Sequence, residues 1–270
     1  METNETVQRK STKIGGLNAP VTIIILILIA MAIFYWLFGM ETNFEGNNTD
    51  NDPLNFMGII YKGGVIIPFL MSFFLMVIVF GIDRFFALRK ASGRGSITKF
   101  VDDIRDLVSR NQINEALELC DQQKGSVGNV VKEGLTTYKA LSNDPTMNKE
   151  QKLIELNKAL EEAMTLEMPA LEKNTSIIST IASIGTLIAL MGTVIGMIKA
   201  FFALGEGGGT PDAAKLSVGI AEALINTGMG IGASAIAIIV YNMITNKIDD
   251  LTFKIDEVGM SIQQSFASHH

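Results

Sequence analysis

Residues Leu216 to Lys247 read LSVGIAEALINTGMGIGASAIAIIVYNMITNK, and this stretch decides the fold. No charged residue stands between Ala223 and Asn246. At ~1.5 Å per residue, a helix of that length crosses the ~30 Å hydrocarbon core of a bilayer. Its middle is poor in bulky side chains, being crowded with Gly228, Gly230, Gly232, Ala233, Ser234, Ala235 and Ala237. Small residues let two backbones approach closely, so this helix is built to pack on protein. Glu222 stands at the start of the apolar stretch, with Asn226 and Thr227 about one turn further on. A carboxylate at the bilayer centre costs ~2.5 kcal/mol or more and less near an end. Glu222 therefore reads either as part of a functional site or as a helix cap in the headgroup layer.

Three further uncharged runs lie upstream: Val21 to Met40, Val65 to Ile82, and Thr175 to Ile198. With 48% hydrophobic residues gathered into such blocks, the chain is predicted to be an all-α integral membrane protein. It has four transmembrane helices, long cytoplasmic helical extensions and a small cytoplasmic helical bundle. The first run exceeds the apolar core of a secretory signal, and no small-residue cleavage pattern follows Met40, so it is read as a retained span. Arg9, Lys10, Lys13, Arg84, Arg89, Lys90, Arg94, Lys99, Lys173, Lys247 and Lys254 fall on one side of the spans, against Lys62, Lys199 and Lys215 on the other. The basic-inside bias places both termini in the cytoplasm. The expected layout is a cytoplasmic tail at 1–20, spans at 21–40, 65–88, 175–198 and 217–246, and outer loops at 41–64 and 199–216. The cytoplasmic parts are a helical region at 89–174 and a C-terminal helix and tail at 247–270.

In the cytoplasmic region apolar residues recur at three and four: Ile97, Val101, Ile104 and Val108; Ile113, Ala116, Leu117 and Cys120; Val127, Val130, Val131, Leu135 and Tyr138. From Asn148 a strong helix former is predicted to run directly into the third span, with Pro169 as a kink. After the fourth span Ile248, Leu251, Ile255, Val258, Ile262 and Phe266 keep the same spacing, and this stripe needs partner helices. Residues 1–18 lack periodicity and are expected to be mobile, and FFALGEGGGTPDAAK after the third span is expected to turn flexibly.

Enzyme chemistry is not written into this chain. One cysteine builds neither a disulfide framework nor a cysteine-rich metal site, and the only histidines are His269 and His270. The glycine-rich loop lacks the Gly-Lys-Ser/Thr of a phosphate loop. We expect no enzyme activity, no cofactor and no bound metal. What the spans do carry is polar residues in register. Ser176, Ser179, Ser183, Thr186 and Thr193 share one stripe of the third span, while Ala182, Gly185, Ala189, Gly192 and Gly196 form a neighbouring one. Hydroxyls in a span either bond back to their own helix or face protein or water. In the fourth span Thr227, Ser234, Tyr241 and Thr245 recur along one face, and Gly228 with Gly232 repeats the small spacing. Thr193 lies six residues before Lys199 and Thr227 five after Glu222, so both sit roughly 8 Å below the outer boundary. A carboxylate beside hydroxyls can conduct or gate protons or cations. The candidate proton-pathway set is Thr193, Thr227, Glu222, Thr186, Ser183 and Asn226, with Gly185, Gly192, Gly196, Gly228 and Gly232 as packing positions.

The strings LIALMGTVIGMIKAF and VGIAEALINTGMGIGASAIAIIVYN resemble the two core helices of the MotA/TolQ/ExbB proton-channel family, and ExbB most closely. The likeness extends over roughly residues 60 to 255. It implies a homopentamer in the bacterial inner membrane whose third and fourth spans line a pore around an ExbD-like single-span partner. Protons are then the coupling ion, taken by a carboxylate on the partner helix, and motion is relayed by a TonB-like protein to outer-membrane transport. The other implied contacts are membrane lipid and no nucleic acid. The motif threonines map to Thr193 and Thr227, and the motif glutamate to Glu222. The chain departs from the family's usual three spans by adding Val21 to Met40, which moves the N-terminus inside. A TolQ-like or motility stator of the same family, or a non-conducting membrane scaffold, are the alternatives.

Overall fold

The computed structural model describes residues 17–206 and 213–269. The mobile tail expected before Leu17 and the glycine-rich turn at 207–212 lie outside the described residues. The elements are helices: α1 Ala19–Ala32, α2 Phe56–Tyr61, α3 Ile67–Ala91, α4 Ile97–Ser109, α5 Ile113–Gln123, α6 Gly125–Ser142, α7 Lys149–Glu172, α8 Thr175–Glu206 and α9 Ala213–His269. Among the described residues there is no strand, only an isolated bridge between Phe44 and Pro53. Four helices are long and apolar enough to cross a membrane: Ala19–Phe38, Ile67–Ala91, Thr175–Phe202 and one within Leu216–His269. The chain is an all-α membrane protein.

The chain divides into two units, one of residues 84–173 and 245–269, the other of Leu17–Asp83 and Asn174–Ile244. The first is a soluble-type helical bundle. Val101, Ile104 and Val108 of α4, Ala116 and Cys120 of α5, Val130, Leu135 and Tyr138 of α6, and Leu156 of α7 are all buried. The stripe Ile248, Leu251, Ile255, Val258, Ile262 and Phe266 is buried with them, as its spacing requires. Phe266 meets Tyr138 edge to face at 4.8 Å between ring centroids. Ser265 Oγ donates to the Val108 carbonyl at 2.8 Å, and Arg105 Nη2 pairs with Glu257 Oε1 at 2.6 Å. Burial pushes the Cys120 thiol up to about 12, which leaves it protonated and unreactive at neutral pH.

The helix predicted to run from Asn148 through the third span is broken. α7 starts on an Asn148–Gln151 capping box and keeps Pro169 inside it. It stops at Glu172, Lys173 is extended (φ −48°, ψ 133°), Asn174 is left-handed (φ 61°), and α8 begins afresh at Thr175. Asn tolerates the left-handed region better than most residues, so the break falls there and not at the proline. Arg84, wholly buried, turns one guanidinium nitrogen towards the Ala170 carbonyl at 3.4 Å, near the end of α7. A cation at a helix C-terminus is favourable because the final carbonyls are unsatisfied there.

In the second unit the loop after the first span is folded. The last turn of the first helix is π-helical over Ile33–Phe38, with Gly39 N donating to Phe34 O at 3.0 Å. Asn43 Nδ2 then donates to the Leu37 and Phe38 carbonyls at 2.9 and 3.0 Å, closing the helix end. Asn55 donates to Asn43 Oδ1 at 2.8 Å and caps α2 through Gly58 N at 3.0 Å. Tyr61 stacks on Phe34 at 4.9 Å, and this pair packs with Ile60, Ile67, Ile225 and Met229. The asparagines that marked the segment as loop are the groups that fix it.

Candidate functional site

The site is made by α8 and α9, which approach along their small residues. A Cβ on Gly196 would lie 2.8 Å from the Gly219 carbonyl, on Gly192 2.7 Å from Asn226 Cβ, and on Gly185 2.5 Å from Ser234 Oγ. From the other side, a Cβ on Gly230 would strike the Ala189 methyl and lie 2.6 Å from the Gly185 carbonyl. The stripe Gly185, Ala189, Gly192 and Gly196 is therefore the contact itself, with backbones close enough that any added carbon meets main chain or a fixed side chain.

This approach joins the two threonines. Thr193 Oγ1 and Thr227 Oγ1 are hydrogen-bonded to each other. Thr193 is also within reach of the Ala189 carbonyl at 3.2 Å and the Ala223 carbonyl at 3.4 Å, and Thr227 of the Ala223 carbonyl at 3.0 Å. Each hydroxyl has one proton, so only some of these bonds exist at once, and rotation about the C–O bonds switches the pair between alternative sets of hydrogen bonds. Both residues are half-buried.

Ser183 and Thr186 lie on the exposed face of α8 and bond back to the Ser179 carbonyl at 3.3 Å and the Ser183 carbonyl at 3.2 Å. Ser176 and Thr180 are exposed on the same helix. A span-length helix thus turns hydroxyls away from the rest of the chain.

Glu222 is 7% exposed, and both its oxygens meet Lys199 Nζ, at 2.7 and 3.0 Å. The ion pair ties the C-terminal part of α8 to the N-terminal part of α9. Lys199, counted in the sequence as a marker of orientation, is thus the partner of the site carboxylate. Opposite charges at the facing ends of two antiparallel spans were the signal for it. The carboxylate also rests on Gly64, whose φ of +79° lies in the left-handed region and whose Cβ, if present, would overlap Glu222 Oε1. Gly64→Ala is expected to cost about 2 kcal/mol, from left-handed strain of ~1–2 kcal/mol together with displacement of the carboxylate. Chemical denaturation of Gly64→Ala, Glu222→Gln and the double variant checks this, because the two effects must be non-additive if they share the contact.

Three expectations change. Asn226 lines no surface of the protomer: it is 0% exposed and sits over Gly192 between α8 and α9. Ser234, expected on one face with Thr227, Tyr241 and Thr245, differs from the half-buried Thr227 in being 3% exposed and set against Gly185. The successive four-residue steps Glu222, Asn226, Gly230 and Ser234 each turn only about 40° beyond a full turn, which keeps these residues on the α8-facing side. A Cβ on Gly228 would meet nothing within 4 Å, whereas one on Gly232 would lie 3.3 Å from Phe74 Cζ of α3. Among the described residues no three His, Cys, Asp or Glu gather as metal ligands.

Residues 122–257, half of the chain, match the model of the MotA/TolQ/ExbB proton channel family. The chain is 28% identical over 222 residues to the biopolymer transport protein ExbB homolog of Methanothermobacter thermautotrophicus, covering 80% of this chain and 74% of that protein. It is 36% identical over 92 residues to the Tol-Pal system protein TolQ of Haemophilus influenzae, covering 34% of this chain and 40% of that one. It is 23% identical over 168 residues to the biopolymer transport protein ExbB of Pseudomonas putida, covering 62% and 50%. The matched segment contains α8, the spanning part of α9 and the Thr193–Thr227 contact between them. With four span-length helices and this match, the chain belongs to the MotA/TolQ/ExbB proton channel family.

Proposed function

We propose that this chain is the larger, ExbB-like subunit of a proton-driven motor that energises transport across the outer membrane. The observation that carries the reading is the row of hydroxyls on the outward face of α8, leading to the Thr193–Thr227 pair. Thr180, Ser183 and Thr186 donate to carbonyls of their own helix, and the acceptor side of their oxygens, unmet in lipid, is met in a water-lined or protein-lined pore. In this reading α8 and α9 line a pore at the centre of a homopentamer. An ExbD-like single-span partner occupies the pore and brings the carboxylate that takes the proton. Thr193 and Thr227 bind the hydrated proton path beside that carboxylate, and protons are the only coupling ion. Glu222, held by Lys199, sets the outer mouth. A TonB-like protein receives the motion. The chain sits in the inner membrane, and the distribution of Lys and Arg favours both termini in the cytoplasm. Service of a TolQ-like envelope system is the second reading, favoured by the 36% identity to TolQ.

The test is proton flux in liposomes holding the full chain with its co-purified single-span partner. Flux that disappears when the partner's intramembrane carboxylate is changed to an amide supports the motor. Flux that is absent, or indifferent to that change, overturns it in favour of a scaffold. The mass of the same complex reads the subunit number, and the identity of the partner separates the ExbB-like from the TolQ-like reading.

A further inference from the structure

Elsewhere in the helical bundle cations sit beside carboxylates, as Arg105 does with Glu257 and Lys132 with Asp121. Arg89, Lys90, Arg94, Lys99 and Lys124 are exposed, and among the described residues none of them makes an ion pair. They gather at the end of α3. Arg89 and Lys90 stand in its last turn, and the chain then turns through Gly93 and Gly95, at φ +80° and +83°. Arg94 N donates to the Gln123 carbonyl at 2.7 Å, and Gln123 Nε2 donates to the Ser92 carbonyl at 2.9 Å. Lys124 lies beside the same loop, since a Cβ on Gly93 would strike its carbonyl. Next to this loop is a cavity of about 360 Å³ lined by Arg94, Gly95, Ser96, Lys99, Gln122 and Gln123. One carboxylate, Asp103, shares the lining. A Cβ on Gly95 would meet nothing within 4 Å, so the loop leaves that side open.

α3 ties the cavity to the membrane, being one helix from Ile67 to Ala91. Its exposed apolar residues continue through Ile78, Ile82, Phe85 and Phe86. The charges between them are engaged, Arg84 being wholly buried and Asp83 Oδ1 accepting from Leu17 N at 3.3 Å. Arg89 follows Phe86 by three residues, or ~4.5 Å of rise. The headgroup layer is ~5–7 Å thick on each side of the hydrocarbon, so Arg89, Lys90 and the loop after Ala91 stand within reach of it.

We propose that this cavity binds the phosphodiester of an anionic phospholipid in the leaflet at the end of α3, with Arg94 and Lys99 as its cations. A guanidinium offers a phosphate two parallel N–H groups, and an ammonium adds a compact charge. Ser96 Oγ accepts from Lys99 N at 3.4 Å, which leaves its own proton to donate to a phosphate oxygen, and the Gln122 amide is a further donor. Five unpaired cations against one carboxylate favour a lipid of net negative charge over a zwitterionic one, whose own cation they repel. The exposed rings of Phe85 and Phe86, one turn before Arg89, give the acyl chains an apolar neighbour that a soluble phosphate does not use. Such a grip holds the end of α3 and the adjoining corner of the bundle at the level of the headgroups.

The test is native mass spectrometry of the full-chain assembly mixed with equal amounts of phosphatidylglycerol and phosphatidylcholine. Phosphatidylglycerol is expected to be retained in preference. Arg94→Gln and Lys99→Gln should each lower that preference about fivefold, the scale of one basic residue at an anionic surface, and the double variant about 25-fold. Both side chains are exposed and make no ion pair, so the variants are expected to melt as the wild type does. Arg110→Gln removes an exposed cation from the other end of α4, where it pairs with Asp106, and should leave the preference unchanged. No preference in the wild type, an unchanged preference in the double variant, or an equal loss in Arg110→Gln overturns the site. Displacement of the lipid by millimolar inorganic phosphate overturns the lipid assignment in favour of a soluble anion. None of these readouts uses proton flux, so the site stands or falls apart from the motor reading.

Discussion

Thr227→Val is expected to abolish partner-dependent proton flux, by about a hundredfold or more, while the protein folds and assembles as before. The magnitude is that of removing one preorganised polar group from the place where charge passes. The unchanged stability follows from the geometry. Valine has the shape of threonine, and Thr193 keeps the Ala189 carbonyl at 3.2 Å as an acceptor when its hydroxyl partner is lost. No buried group is orphaned, so the change in folding free energy stays within about 1 kcal/mol. Thr193→Val should behave in the same way, since Thr227 retains the Ala223 carbonyl at 3.0 Å. The double variant should be no worse than either single one if the hydroxyls act as a unit. Flux and thermal denaturation measured on one preparation give both halves of the result. A loss of flux that tracks a loss of folded protein would reduce the pair to a packing contact, and normal flux in both single variants would remove it from the proton path.

The depth-matching of Thr193 and Thr227 was legible in the sequence because a helix advances by a fixed rise, and two charges, Lys199 and Glu222, marked the same boundary. The Gly185, Ala189, Gly192 and Gly196 stripe and the Ile248 to Phe266 stripe were legible for a related reason: each repeats at the helical period. What stayed hidden is set by single residues. The end of α7 depends on Lys173 turning extended and Asn174 taking φ 61°, and periodicity carries no trace of that. The fold of the loop after the first span depends on where the side chains of Asn43 and Asn55 point, and composition reads such asparagines only as loop. Whether a side chain on α9 faces outwards or towards α8 turns on roughly 100° per residue. Thr227 and Asn226, adjacent in sequence, therefore differ between half-buried and wholly buried. Residue type suggested a polar site, but only the packing of the two helices divided its members between the pair, the ion pair and the α8–α9 contact.

Two glycines on α9 provide the sharpest contrast. Gly230→Ala is expected to destabilise the protein by about 3 kcal/mol or more, the upper range for forcing extra carbon into a packed contact, because the new methyl would collide with that of Ala189 and crowd the Gly185 carbonyl at 2.6 Å. Neither obstacle is the end of a flexible side chain, so relief requires α8 and α9 to move apart. Separation would also loosen Gly192 from Asn226 and Thr193 from Thr227, and flux should fall with stability. Gly228→Ala, two residues earlier on the same helix, meets nothing within 4 Å, and alanine favours helix over glycine by about 0.5–1 kcal/mol. It should leave the protomer as stable as before or slightly more so. Denaturation of the two variants in the same detergent checks the pair, and equal losses would mean that the helices do not meet along the small-residue stripe. The flux of Gly228→Ala then carries separate information. Its methyl group points away from its own protomer, beside Thr227, so any loss of flux in a protein of undiminished stability has to arise from what packs against that face in the assembly. A partner helix that slides or turns against a smooth wall would feel one methyl group there, whereas a pore filled with water alone would not.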